Sequence, residues 1–287
     1  MLHATTLALG VLAASADAAV LCQKRSGAVF VRTDCKKKET AIDLTQFGAA
    51  PPDTPDQVRA KFFAGSACSG ADPQEVMVKV GNVCVDVYEA SVWSTPTGGT
   101  QYGVAAADYP CGGDGNDCTG IFARSVPDVL PARYVTWFQA QQACRNSGKR
   151  LLTNAEWQMA ASGTPDPGLG GNGTTYCNTN TAGPRNATAA GACVSSAGVR
   201  DMVGNVEEWV ADWMPFGTGC PGWGIGPGGG TFTDDIMCMV GADGTRGPGV
   251  LVRGGYYNEG TDAGVFTILS DYLLQYPEDS HGFRCAR

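Results

Sequence analysis

The sequence is short of three things: histidine, positive charge and long apolar runs. Its two histidines, His3 and His281, cannot make a three-histidine metal site, and His281 alone does not supply a full triad with an activated nucleophile. Lysine and arginine number 20 against 28 acidic residues, a net charge of -8, which argues against a nucleic-acid surface. Beyond the N-terminus no stretch approaches the length of a membrane span, so no transmembrane segment is expected. Twelve cysteines are present, yet no Cys-x-x-Cys occurs, which argues against a zinc ribbon or a thioredoxin-like redox site.

What is present describes a folded, loop-rich chain: 43% hydrophobic residues, 17% charged residues and 40 glycines among 287 positions. The apolar run Leu7–Ala14, followed by the small-residue site Ala16-Asp17-Ala18, has the pattern of a secretory leader cleaved after Ala18. It lacks a leading lysine or arginine, and a core helix is the alternative. All the cysteines lie beyond that site, and an even count in an exported chain reads as disulfides. Neighbours along the chain suggest Cys22–Cys35, Cys68–Cys84, Cys111–Cys118, Cys177–Cys193 and Cys220–Cys238, leaving Cys144 and Cys285 over. Spacing alone does not fix connectivity. The expected location is secreted, periplasmic, cell-surface or virion-displayed.

Residues 19–48 read as a small β unit around the strand-like GAVFVR, closed by Cys22 and Cys35. A bridge of that length is worth roughly 3 kcal/mol in the loop-entropy picture. Lys36-Lys37-Lys38 is either a binding patch or a solvated turn. Residues 49–67 are a linker, Pro-rich in GAAPPDTPDQ at 48–57. From 68 to 287 the pattern is one α+β domain. EVMVKVGNVCVDVYEASVW alternates as paired strands turning at Gly81-Asn82. A helix is predicted from Thr136, with Trp137, Ala140 and Cys144 on one face and Gly148 as its stop. Another follows a capping box of Thr153 and Glu156 and carries Trp157 and Ala160. Stretches 163–196 and 217–249 read as loops, and closing strands are predicted near 250–257, 263–268 and 281–286.

Three segments in order, YVTWFQAQQACRNSGKRLLTNAEWQMAA, DMVGNVEEWVADW and VRGGYYN…GFRCAR, resemble the formylglycine-generating enzyme (sulfatase-modifying factor) domain over roughly 75–287. The resemblance implies a C-type-lectin-like fold with two helices, short strands and long loops. It also implies a Cys144–Cys285 bridge, because the family often ties that helix to its final strand.

In DMVGNVEEW, a Gly-containing turn leads to Trp209 and Trp213, expected in the core, and Asp201 and Glu208 offer hard oxygen ligands. The resemblance implies calcium held by Asp201, Glu208 and the carbonyls of Gly204 and Val206. The alternative is that both carboxylates only cap turns. CGGDGNDC (111–118) offers Asp114, Asn116 and Asp117 but lacks the distal glutamate of a calcium loop, and reads as a stapled turn.

The family's oxidase holds copper with two cysteines just after Gly-Gly, a soft pair suited to Cu(I). The matching GGYYNEGTDAG has none. The family's iron branch uses three histidines, and here only His281 would survive cleavage. Catalysis is therefore not expected, a divergent family enzyme or accessory subunit being the alternative. The C-terminal pattern instead resembles the variable proteins of diversity-generating retroelements: Arg253-Gly254-Gly255, then Ala263-Gly264-Val265-Phe266, then Gly282-Phe283-Arg284-Cys285. Tyr, Asp, Asn, Ser, Thr, His and Leu can all arise by changing the first two bases of an AAY codon. Glu259, Gln275 and Glu278 cannot, so they would be fixed positions. Rigid tyrosines among short polar side chains have the composition of a paratope. The expected contact residues are Tyr256, Tyr257, Thr261, Asp262, Leu269, Asp271, Tyr272, Leu274, Tyr276 and His281, facing a protein or cell-surface ligand; the alternative is that the Tyr and Leu residues are ordinary core, as three or four of the set are expected to be.

Overall fold

Among the described residues, both α-helices start on a threonine. In the computed structural model, α1 (Trp137–Asn146) is capped by Thr136, whose hydroxyl accepts from the Gln139 N–H while Gln139 Oε1 accepts from the Thr136 N–H. The same reciprocal box, Thr153 with Glu156, opens α2 (Asn154–Ala161). A cap of this kind is worth about 1 kcal/mol. Gly148, at φ 68°, follows the end of α1 as predicted.

The structure describes residues 20–24, 29–32, 35–41, 67–68, 74–166, 176–187, 192–223 and 234–287. The chain divides into two compact units, Met1–Gln57 and Val58–Arg287. In the first, β1 (Val20–Lys24), β2 (Val29–Arg32) and β3 (Glu39–Ala41) form an antiparallel sheet in the order β2-β1-β3. Cys35 is disulfide-bonded, and Lys36–Lys38 lie in an exposed turn. The leader, the Cys22 side chain and the Pro-rich 48–57 lie outside the described residues.

In the second unit, β4 (Ala67–Cys68), β5 (Met77–Val80), β6 (Val83–Asp86), β10 (Arg150–Leu151) and β16 (Cys285–Ala286) form one sheet, ordered β10-β16-β6-β5-β4. The β5–β6 hairpin turns at Gly81-Asn82, as the alternation predicts. Next to it in sequence, β7 (Ser91–Thr95), β8 (Gly98–Tyr102) and β9 (Phe122–Arg124) make a three-stranded sheet. The sheet that carries the C-terminal segment is β12-β14-β13-β11-β15, with β11 (Glu207–Pro215), β12 (Met237–Cys238), β13 (Pro248–Arg253), β14 (Ile268–Leu273) and β15 (His281–Phe283).

That last sheet is buried on both faces, and its period of two sorts the side chains. Trp209, Val250, Val252 and Phe283 enter one core, with Ala140, Ala143 and Cys144 of α1. Val210 and Leu251 enter another, with Trp157, Ala160 and Ala161 of α2. The bridges Cys68–Cys84, Cys111–Cys118, Cys144–Cys285, Cys177–Cys193 and Cys220–Cys238 are all formed.

Two expectations need correction. Trp213 is 64% exposed, because the β11–β13 register shifts between Trp209 and Trp213 and turns its side chain out of the core. The predicted strand at 263–268 is instead a 3₁₀ turn at Gly260–Asp262 leading to β14, which starts only at Ile268. In this stretch the Phe266 N–H goes to the Asp235 carboxylate rather than to a strand ladder.

Candidate recognition surface

The C-terminal segment is fixed at both ends to β11. Glu208 lies between Arg253 of β13, its antiparallel partner, and Gly282 of β15, its parallel partner. At the first end, buried Arg253 stacks 4.3 Å over the Trp157 ring and donates to the carbonyls of Thr267 (2.7 Å) and Val265 (2.9 Å). Gly254 and Gly255 follow with φ of 87° and 77°. A Cβ at Gly254 would lie 2.9 Å from the Met202 carbonyl, and one at Gly255 2.6 Å from Ala263 Cβ, so neither position admits a side chain. At the second end, buried Arg284 grips Glu208 through Nη2–Oε1 (2.7 Å) and Nε–Oε1 (3.1 Å), and Cys285 is bonded to Cys144 of α1.

Between these ends the side chains gather around three carboxylates, Glu259, Asp279 and Glu207. Tyr256 meets Tyr257 edge-on at 5.3 Å, and its N–H donates to Glu259 Oε2 (3.1 Å). The Tyr257 hydroxyl donates to Asp279 Oδ2 (3.1 Å). His281 is enclosed by Trp209 (4.4 Å) and Tyr272 (4.3 Å), with Nε2 3.1 Å from Glu207 Oε2. Burial, then the Glu207 charge, pushes the Glu259 carboxyl up to about 8. Burial also raises Asp271, with Glu207 again adding to it, and pushes the Tyr272 hydroxyl well up.

Of the expected contact residues, Tyr256, Thr261, Asp271, Tyr272 and Leu274 are half-buried, and Asp262 and Tyr276 are exposed. Three are corrected from surface to interior: Tyr257 at 9%, Leu269 at 4% and His281 at 0% exposure. Leu269 packs with Val250 and Val252, and the sandwich of Trp209 and Tyr272 closes over His281. The reading of the sequence missed Glu207 beneath the surface and Asp279 on Tyr257.

The DMVGNV turn lies behind the first end. Asp201, Gly204 and Asn205 all have left-handed backbone, at φ 55°, 73° and 63°. Asp201 is buried and its Oδ1 has no hydrogen-bond partner. Glu89, also missed from the sequence, accepts from the Val206 N–H (3.0 Å) and from the Asn205 amide. Glu208 Oε2 accepts from Trp157 Nε1 (2.8 Å), so both Glu208 oxygens are engaged. Burial pushes Asp201 up to about 7, and Glu89 rises through burial and then the charges of Asp201 and Glu208. CGGDGNDC is a stapled turn in which Asp117 accepts from the Gly112 N–H and Asp114 from Asn116.

A sequence profile described as the sulfatase-modifying factor enzyme 1-like domain matches residues 110–287, more than half of the chain. The chain belongs to that family. Its α+β, loop-rich architecture, with two α-helices among the described residues, is the C-type-lectin-like fold expected for a sulfatase-modifying factor domain. No curated protein sequence matches the chain. Among solved structures it is similar to the Major Tropism Determinant U1 variant at 18% identity and TM-score 0.48, covering 93% of this chain and 71% of that one. It is similar to Treponema denticola variable protein 1 at 16% identity and TM-score 0.38, over 75% of this chain and 99% of that one. PvdO from Pseudomonas aeruginosa follows at 22% identity and TM-score 0.34, over 55% of this chain and 62% of that one.

Proposed function

We propose that this protein is an exported binding protein of the sulfatase-modifying factor family, which displays residues 256–281 as a recognition surface and does no chemistry of its own. The observation that carries the reading is the contrast between frame and segment. Arg253, Gly254, Gly255, Arg284 and Cys285 are buried and locked, while Tyr256, Thr261, Asp262, Asp271, Tyr272, Leu274 and Tyr276 retain exposure between them. Tyrosines supply contact area at low entropic cost, and the short polar residues adapt their hydrogen bonds. The absence of cysteine from 256–281 leaves no thiolate pair for copper, and His281 is enclosed against Glu207. The paired cysteines and the leader pattern support export. Among the described residues no helix is long and apolar enough to cross a membrane.

The test is the triple variant Tyr256→Ser, Tyr272→Ser, Tyr276→Ser on peptide and glycan arrays. Saturable binding by the native chain is expected, with its loss in a folded variant. Copper-dependent conversion of a sulfatase-type cysteine peptide to formylglycine would restore the enzyme reading. In the genome, an imperfect copy of the gene's 3′ end that differs only at adenines would add that the surface is diversified.

Calcium belongs to the same proposal. The unpartnered, buried Asp201 Oδ1 supports it. Asp201, with the carbonyls of Gly204 and Val206, would hold the ion. Glu208, engaged by Arg284 and Trp157, would contribute charge rather than a spare oxygen, which departs from the family pattern. The ion would act structurally, by neutralising buried carboxylates behind the recognition surface.

A further inference from the structure

We propose that Trp223 is a fixed aromatic contact of the recognition surface, supplied from outside residues 256–281 by the strips 217–223 and 234–240. This rests on the recognition reading above and adds to it a constant anchor beside the segment.

The two strips are tied to each other and to the segment. The Thr218 and Gly219 N–H groups donate to the Val240 carbonyl (3.0 and 2.9 Å), and Cys220 is bonded to Cys238 of β12. β12 in turn runs parallel to β14, with Met237 opposite Ile268 and Cys238 opposite Leu269. Two further contacts reach residues of the surface itself. The Ile236 N–H donates to the carbonyl of exposed Asp262 (2.9 Å), and Cys220 Sγ lies 3.9 Å from Oδ2 of half-buried Asp271. The strips therefore border the surface from Asp262 to Asp271.

Trp223 is held in place by three devices. Pro221-Gly222 is a turn whose glycine, at φ 66°, has the left-handed backbone that the third position of a type II turn requires. The Cys220–Cys238 bridge anchors the residue before that turn. Beyond the turn, Trp223 Nε1 donates to the Phe266 carbonyl, within the segment (2.9 Å). An indole has one hydrogen-bonding atom, and here the segment takes it. The residue nevertheless stays 40% exposed, so what it offers outward is its ring.

Single apolar side chains on a protein surface are ordinary. This one differs in being fastened to the segment by its own N–H and by the staple three residues before it. A side chain fixed before binding loses less entropy on association. Tryptophan, with tyrosine, is also the residue type in which interface binding energy concentrates. Trp223 would thus serve the surface whatever side chains the segment carries.

The experiment uses the full chain on the same peptide and glycan arrays. Trp223→Ala is expected to weaken binding to the spots that the native chain recognises by about 30-fold or more, the scale of an interface hot spot. Trp223→Phe, which keeps a ring but not the N–H, should recover most of that loss. Met159→Gln, at an exposed position on α2, should bind as the native chain does. Acrylamide quenching separates contact from support. The fluorescence difference between the native chain and Trp223→Phe should be shielded when a recognised peptide or glycan is bound. Native-level binding by Trp223→Ala overturns the inference. So does loss of binding with the indole still open to acrylamide in the native complex, since Trp223 would then only shape the segment. In either case, loss of binding in the triple tyrosine variant would still uphold the recognition reading. Arrays on which the native chain binds nothing would remove that reading and this inference together.

Discussion

Glu207 and His281 face each other across the parallel pair of β11 and β15, with Nε2 3.1 Å from Oε2 and both side chains buried. His281 is thus part of the support under the segment. His281→Phe removes the imidazole beside a buried carboxylate, leaving it only the Ser280 hydroxyl at 3.1 Å, and should cost about 1–3 kcal/mol in urea unfolding. The double change Glu207→Gln, His281→Phe should recover much of that loss. Equal stability of His281→Phe and the native chain would mean that the contact contributes nothing.

The division between surface and interior can be checked with two single changes. Leu269→Ala removes a side chain packed against Val250 and Val252 and should cost about 2–5 kcal/mol. Tyr276→Ser alters a residue that is 52% exposed and should shift stability by about 0.5 kcal/mol or less. The reverse order would place the segment's core elsewhere.

Stability should fall as pH rises from about 4 to 8. Glu259 titrates near 4.5 unfolded and about 8 folded, and Asp235 near 3.8 and about 7, so the folded chain binds more protons within that window. The contribution of these groups is whole below the unfolded values and is lost as pH passes the folded ones. Glu156, lowered to about 2 by Arg150, works in the opposite sense, but only below about 4.5. Melting temperatures at pH 5 and pH 8 measure the slope, and Glu259→Gln should flatten it. A melting temperature that rises toward pH 8 contradicts this account.

Calcium should show itself as a melting shift. A ligand that binds only the folded state raises Tm, so a chelator should lower it and added calcium should restore it. Asp201→Ala should abolish that sensitivity. If the native chain melts identically with and without chelator, the DMVGNV turn holds no ion.

Local signals were the legible ones. Both capping boxes and the Gly81-Asn82 hairpin turn are written within a few residues, and the structure contains them; the neighbouring pairs Cys68–Cys84, Cys111–Cys118, Cys177–Cys193 and Cys220–Cys238 are also formed. The Cys144–Cys285 pair came from the family resemblance and is also formed. Depth was not legible. Leu269 and His281 are buried by strands that arrive from far along the chain, and the β11 bulge turns Trp213 outward against the apolar pattern. Glu207 was overlooked beside Glu208, although a strand's period of two sends adjacent residues to opposite faces. That alternation was the available signal that the two glutamates have different partners.

The register around Glu208 has a practical consequence. Residues 254–281 leave from one neighbour of β11 and return to the other, so their endpoints are set by a strand outside the segment. Closing a longer loop between fixed ends costs only about 0.6 kcal/mol for each doubling of length. Extra residues can therefore be inserted at little conformational cost in the exposed stretch Gln275–Pro277, whereas β14, which pairs with β12 and β13 and buries Ile268, Leu269 and Ser270, must keep its length and register.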